Sequence, residues 1–222
     1  MINYNKYQNE GDYMVLQVEV HVIFATNSYF YVDDETNHGF LIDPGAEAEK
    51  LLQIIDNKKL TIEKILLTHG HFDHTGAVNE LQQQLKIPVC IHKNGRQYVE
   101  NPAWNLSQTF GFVIKLDNVT YLDDNSVISL SLNPDFNLKL IHTPGHTTDS
   151  AIYYSAKDNF AFVGDSIFLG SYGRTDFPGG DEQILFDSIK QKILTLPDDT
   201  ILLSGHSDPT TVDIEKNRSW YN

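Results

Sequence analysis

The sequence predicts an α/β fold: a four-layer αβ/βα sandwich in which two mixed β-sheets pack face to face with helices outside. Apolar residues alternate with period two in meanders in both halves of the chain, and amphipathic helical stripes interrupt the strands in both halves. Strands in antiparallel meanders that are also joined by crossover helices form mixed sheets, and each sheet covers one face with helices and the other with its partner sheet. The 222 residues are enough for one sizeable core, so we expect a loose leader over 1–12 and a single domain over 13–222.

The elements follow in order. Residues 1–12 are polar and aperiodic. Leu16, Val18, Val20, Val22 and Phe24 alternate with Gln17, Glu19, His21 and Ile23 as a strand with one buried face. Ser28 to Val32 and Gly39 to Ile42 are the next strands, and the polar run 33–37 is the turn between them. Asp43-Pro44-Gly45 stops the meander, and Leu51, Leu52, Ile54 and Ile55 form a helical core stripe within 46–57. Strand Ile62 to Leu67, a histidine loop, helix Thr75 to Leu85 and strand Ile87 to Ile91 come next. Residues 92–116 are irregular, with Tyr98, Trp104, Phe110 and Phe112 spread along them, the profile of a binding loop or lid, with buried packing equally open to any single ring. Strands are then expected at 126–132, 137–142, 150–155, 160–163 and 200–203, with a helix over 181–194. His21, His38 and His92 fall on a strand face, in a turn and at a surface or cap position, and we assign them no function.

Composition excludes several function classes. A formal charge of −14 argues against a nucleic-acid binder, which draws its affinity from lysine and arginine. The single cysteine, Cys90, excludes an internal disulfide and a thiolate-rich metal site, and its place in Ile87-Pro88-Val89-Cys90-Ile91 reads as a buried strand residue. No apolar run approaches the length of a membrane span and no apolar export segment follows a basic start, so a cytoplasmic protein without membrane contact is expected. Nothing in the sequence speaks to oligomeric state.

The chemistry concentrates in Thr68-His69-Gly70-His71-Phe72-Asp73-His74-Thr75-Gly76, directly after the apolar run Ile65-Leu66-Leu67. Residues two apart in an extended loop point the same way, so His69 and His71 can close on one ion, while Asp73 and His74 face a second beside it. Mixed imidazole and carboxylate donors suit zinc, iron or manganese. Three later strands end in a glycine followed by a ligand-type residue: His146, Asp165 and His206. Ligands of open α/β sheets gather beyond the carboxyl ends of strands, so one rim is expected to hold all seven residues. The arrangement we expect is His69, His71 and His146 on one ion, Asp73, His74 and His206 on the other, and Asp165 bridging. His142, before the Pro-Gly turn, is read as packing or outer support.

These residues resemble the metallo-β-lactamase fold superfamily, with its HxHxDH loop at 69–74 and its three distant ligands at His146, Asp165 and His206. Within it the chain looks like short bacterial glyoxalase II-like hydrolases, through Gly173-Arg174-Thr175-Asp176-Phe177-Pro178-Gly179-Gly180-Asp181, a segment shared with persulfide dioxygenases. The likeness runs from about residue 14 onward. It implies two divalent ions, most often zinc, with iron or manganese as variants. It also implies a substrate contact at Arg174, a natural grip for a carboxylate. Two departures stand out. Full-length glyoxalase II enzymes continue into a helical domain that helps hold glutathione, whereas this sequence stops soon after His206, and the usual His-Gly of the last motif is His206-Ser207 here.

The expected activity is hydrolysis of a small acyl-thioester, hydroxyacylglutathione-like, by a metal-bridging hydroxide that Asp73 orients. The alternative is a mononuclear-iron persulfide dioxygenase using His69, His146 and Asp165. A metal-binding module without turnover would be expected to lose Asp73, which is present. A β-lactamase is disfavoured because the Asp165 bridge differs from the usual lactamase ligand set, and a nuclease conflicts with the acidity.

Overall fold

The computed structural model describes residues 5–7 and 12–218. In chain order the first sheet takes β1 (Asn5–Tyr7), β2 (Tyr13–His21), β3 (Ala25–Asp33), β4 (His38–Ile42), β5 (Thr61–Leu66), β6 (Val89–His92) and β7 (Val119–Leu122), hydrogen-bonded in that spatial order. Pairing is antiparallel up to β4 and parallel from β4 to β7, because helices carry the chain back over the sheet between the later strands. The crossovers include α1 (Ala48–Lys58), α2 (Phe72–Thr75), α3 (Val78–Leu85) and α4 (Arg96–Glu100). The second sheet uses β8 (Val127–Ser129), β9 (Asn137–His142), β10 (Ala151–Ser155) and β11 (Phe160–Gly164). A small ribbon of β12 (Ile167–Phe168) and β13 (Ser171–Tyr172) follows, then α5 (Glu182–Ser188), β14 (Ile201–Ser204), β15 (Thr210–Thr211) and α6 (Val212–Lys216). Its order is β15-β14-β11-β10-β9-β8, and β14 joins β11 in parallel after the α5 crossover.

The four layers follow from the period-two pattern. On β2, Met14, Leu16, Val18 and Val20 face a cluster shared with Leu51 and Ile54 of α1 and Val78 and Leu81 of α3. Tyr13 and Val15 face the other way, into the layer between the sheets. That layer is aromatic: Tyr31 stacks on Phe136 with ring centroids 4.1 Å apart and meets Phe160 edge-on at 4.9 Å. A third cluster packs Leu185 and Ile189 against the outer face of the second sheet. Cys90 is buried within the inter-sheet layer, as its strand position predicts.

Several boundaries differ from expectation. The alternation of β2 runs to Phe24 in the sequence, but His21 already pairs with Ala25, and Val22-Ile23-Phe24 form an exposed hairpin tip. Helix 75–85 is broken, because Ala77 N–H donates to the Pro44 carbonyl at 3.0 Å and a side chain at Gly76 would meet Gly45 O at 2.2 Å. The expected strand 126–132 ends at Ser129, where Leu130 N–H turns back to Phe136 O. Helix 181–194 starts on an Asp181 side-chain cap to Ile184 N–H and widens into a π-type turn over Ile189–Ile193. Of the span expected to be a loose leader, Asn5–Tyr7 add an antiparallel edge strand to β2; 1–4 and 8–11 lie outside the described residues. Among the described residues no helix is long and apolar enough to cross a membrane.

Candidate metal centre

Strands β4 and β5 are parallel neighbours, and their carboxyl ends are tied by one side chain. Asp43 accepts from Thr68 N–H at 2.8 Å and from Thr68 Oγ1 at 2.6 Å. The loop leaving β5 is thereby fixed where His69 and His71 begin, and the single-turn α2 places Asp73 and His74 next to them. From the second sheet, His146 follows β9, Asp165 follows β11 and His206 follows β14. A Cβ at Gly164 would lie 2.3 Å from Thr68 Oγ1, and one at Gly205 would lie 2.4 Å from Asp165 Oδ1 and 2.6 Å from His74 Cε1. The glycines are therefore needed for close approach: any larger residue would push the second-sheet turns off the first-sheet loop.

All seven residues expected from the sequence converge. Nδ1 of His71 lies 3.1 Å from His69 Nε2 and 3.0 Å from His146 Nε2, so three ring nitrogens share one point. Asp73 Oδ2 is 3.2 Å from His206 Nε2 and 3.9 Å from His74 Nε2. Asp165 stands between the groups, with Oδ1 3.3 Å from His74 Nε2 and Oδ2 3.3 Å from His206 Nε2 and 3.6 Å from His146 Nε2. Three overlapping triads, His69/His71/His146, His69/His74/Asp165 and Asp73/His74/His206, each hold their donor atoms within 4.8 Å.

The rings are oriented from outside. His146 Nδ1–H donates to the Arg174 carbonyl at 2.6 Å, His206 Nδ1–H to the Ala25 carbonyl at 2.7 Å, and His74 Nδ1–H to Asp43 Oδ2 at 3.0 Å. His69 Nδ1 meets Thr68 Oγ1 at 3.1 Å, and since that hydroxyl spends its proton on Asp43, the ring must donate. Each such bond turns Nε2 inward, the arrangement in which outer partners orient a metal-ligating histidine. His71 turns the other way, Nδ1 inward, with its Nε2 buried and unpartnered. His74 Nε2 and Asp165 Oδ1 are likewise buried without a hydrogen bond. Converging lone pairs and carboxylate oxygens repel one another unless something positive lies among them, so the donor set fits divalent cations.

The charge states divide accordingly. Burial holds His69 well below the usual imidazole range, takes His71 down to about 3 and lowers His146. Burial acts the same way on His74, but the attraction of Asp165, Asp73 and Asp43 outweighs it and raises the ring well above its ordinary value. Against the same desolvation, Asp165 and Asp73 lift His206 to about 10. Burial would raise Asp73 and Asp165, yet the neighbouring imidazoles hold Asp73 below and Asp165 well below the normal carboxylate range. Asp149, buried beneath Gly70 with no cation beside it, is pushed by desolvation up to about 7.

A cavity of about 300 Å³ opens over the cluster, reaching His71, Asp73, His146, Asp165 and His206. Its walls are Phe24, Phe72, Leu106, Phe110, Phe168 and Phe177, with Tyr172 and Arg174 at the edge. The irregular 92–116 segment thus supplies a wall, as expected, through Leu106 and Phe110. Arg174 reaches the cavity while making a bidentate pair with Asp176 at 2.9 and 2.7 Å and stacking 4.3 Å over Phe177. Tyr98, buried behind the loop, accepts from Thr148 N–H and donates to Pro178 O, both at 3.0 Å. The remaining histidines lie elsewhere: His21 on Glu19, His38 on Glu63, and His92 stacked on His142 at 3.8 Å. Sequence reasoning missed Asp43 and Thr68. The available signal was an aspartate closing an apolar strand beside the strand that ends in the histidine loop.

Residues 22–206 match the model of the metallo-beta-lactamase superfamily. The chain is 37% identical over 197 residues to a Haemophilus influenzae protein described as hydroxyacylglutathione hydrolase GloC, spanning 87% of this chain and 91% of that one. Among solved structures it resembles BLEG-1 B3 metallo-beta-lactamase, with a TM-score of 0.87, 36% identity, and 94% and 99% of the two chains covered. It also resembles TTHA1623 in a di-iron-bound form, with a TM-score of 0.82, 33% identity, and 93% and 99% covered. With the HxHxDH loop, the distant His146, Asp165 and His206, and the two-sheet sandwich that gathers them, the chain belongs to the metallo-β-lactamase superfamily of metal-dependent hydrolases.

Proposed function

We propose that this protein hydrolyses small acyl-thioesters of the hydroxyacylglutathione type. In this reading His69, His71 and His146 hold one divalent ion, Asp73, His74 and His206 hold a second, and Asp165 serves both. The observation that carries it is the position of Asp165, whose two oxygens reach ring nitrogens of both groups beneath an open cavity. The relative described as a hydroxyacylglutathione hydrolase supports the thioester, and the di-iron form of a similar structure supports two ions, with zinc or iron as occupants.

When bound, divalent ions there supply the acidified water and the polarised carbonyl that hydrolysis at neutral pH requires. Asp73 lines the cavity and, held ionised by its histidine neighbours, accepts a hydrogen bond from the attacking water and directs it. A thiolate leaves readily, so no acid group need stand at the leaving side. The aromatic walls keep bulk water from the reacting carbonyl, and Arg174 meets a carboxylate at the mouth by exchanging it for Asp176. The mononuclear dioxygenase alternative leaves His71, Asp73, His74 and His206 without a task, although His74 and His206 are both oriented by outer hydrogen bonds.

Metal-loaded protein tested on a thioester, glutathione persulfide and a β-lactam decides between readings. We expect equal release of acid and thiol without oxygen uptake. Oxygen consumption with the persulfide, or turnover confined to the β-lactam, would overturn the proposal.

A further inference from the structure

Resting on the thioester reading, we infer that the preferred substrate of that class carries an uncharged apolar chain, aromatic or aliphatic, and is not selected by the charged groups of glutathione. Two observations meet here. The cavity walls are built from Phe24, Phe72, Leu106, Phe110, Phe168 and Phe177, and the rings come right up to the imidazoles. Phe177 lies 5.9 Å from His71 and Phe168 6.0 Å from His206, centroid to centroid. On the opposite flank Phe24, Phe72 and Phe110 contact one another at 4.9 to 6.4 Å, a continuous aromatic face leading from the hairpin tip down to the residue beside Asp73.

The second observation is charge. Glutathione brings two carboxylates and one ammonium, and sites for it need cations to match. Among the described residues lining this cavity Arg174 is the sole lysine or arginine, so exchange of its Asp176 partner can match one of the two carboxylates and leaves the other without a cation. The chain as a whole has formal charge −14, so no general positive field compensates. Phe24 is 47% exposed at a tip with Val22 and Ile23 at 37% and 50%. Large apolar side chains grouped at the mouth of a cavity gain a partner when an apolar chain enters.

The apolar chain belongs to the acyl or to the thiol side of the thioester, and a two-armed series separates them. One arm lengthens the acyl group from acetyl to octanoyl on N-acetylcysteamine, and the other lengthens an alkyl thiol bearing an acetyl group. In one arm kcat/KM should rise about fourfold per methylene until the cavity is filled. Glutathione thioesters should do no better than N-acetylcysteamine thioesters of the same acyl group. The Phe24→Ser variant, altered at an exposed position, should flatten the slope. Flat chain-length dependence in both arms, or a glutathione preference above about tenfold, would refute the inference and leave thioester hydrolysis standing. If no thioester is cleaved, the proposed function fails instead. The inference is then decided by calorimetric binding of the corresponding thioethers, whose affinity should show the same slope and the same loss on Phe24→Ser; a slope of zero refutes it.

Discussion

The two halves of the cluster are built from the same side chain and end in opposite electrostatic conditions. His69, His71 and His146 face one another, and burial keeps all three below the usual imidazole range. His74 and His206 are next to Asp73 and Asp165, and the carboxylates raise both rings despite similar desolvation of His74. A carboxylate field that favours a proton on a ring equally favours a cation at the same nitrogen. The difference teaches that donor type is only half of a metal site, because the neighbouring charge decides which nitrogen is ready and which must first release a proton.

That contrast can be broken most severely at the residue common to both sides. Asp165→Ala should lower the proposed thioesterase activity by more than about a hundredfold, beyond the 10–100-fold typical of outer partners. Metal content per chain, read by mass spectrometry, should fall with it, and retention of two ions would refute the shared role. Removing one side at a time comes next. His146→Ala and His206→Ala should each leave about one ion per chain, with the His146 variant losing the more tightly held one. Competition with a chromogenic chelator measures the order, and equal losses would erase the distinction drawn between the two sides.

A finer cut goes through the support. Asp43→Asn weakens the hold on His74 Nδ1–H and on Thr68 while leaving every proposed ligand in place, and should cost about 10–100-fold in affinity at the second ion. The smallest effect sharpens the comparison from the carboxylate side. Asp149 is as buried as Asp165 but has no cationic neighbour, and its pKa is raised to about 7 where Asp165 is lowered. An acid whose folded-state pKa exceeds its unfolded value keeps its proton longer in the folded chain, so stability contributed by the neutral form is lost as pH climbs from about 4 to about 7. Asp149→Asn should therefore match the parent near pH 4 and exceed it by about 1–3 kcal/mol at pH 8, read from urea unfolding of both proteins. A gap independent of pH would contradict the assignment.

The candidate ligands were legible because they are dense at 69–74 and because glycine precedes each distant one, and the structure shows those glycines to be points of close approach, Gly164 to Thr68, Gly205 to Asp165 and His74, and Gly145 to Leu185 of α5. Asp43 was hidden, since Asp-Pro-Gly reads as a turn and its carboxylate acts on residue 68, across the sheet. The end of β2 was misjudged for a related reason. Val22 and Phe24 continue the apolar alternation although no sheet face covers them; Phe24 serves the cavity. Periodicity registers that a side chain is apolar and carries no record of whether core or cavity uses it. The break at Gly76 was invisible because its cause is the Pro44–Gly45 backbone, which sequence spacing along the helix does not reveal.

Each proposed ion draws two of its holders from the loop after β5 and, besides the shared Asp165, one from a turn of the second sheet, His146 in one case and His206 in the other. A cation in either place is consequently a clasp joining the halves of the sandwich, available only once they have docked. Fragments ending before residue 146 would hold no complete set, and stripping the native protein with EDTA should lower its melting temperature by loosening the seam between the sheets.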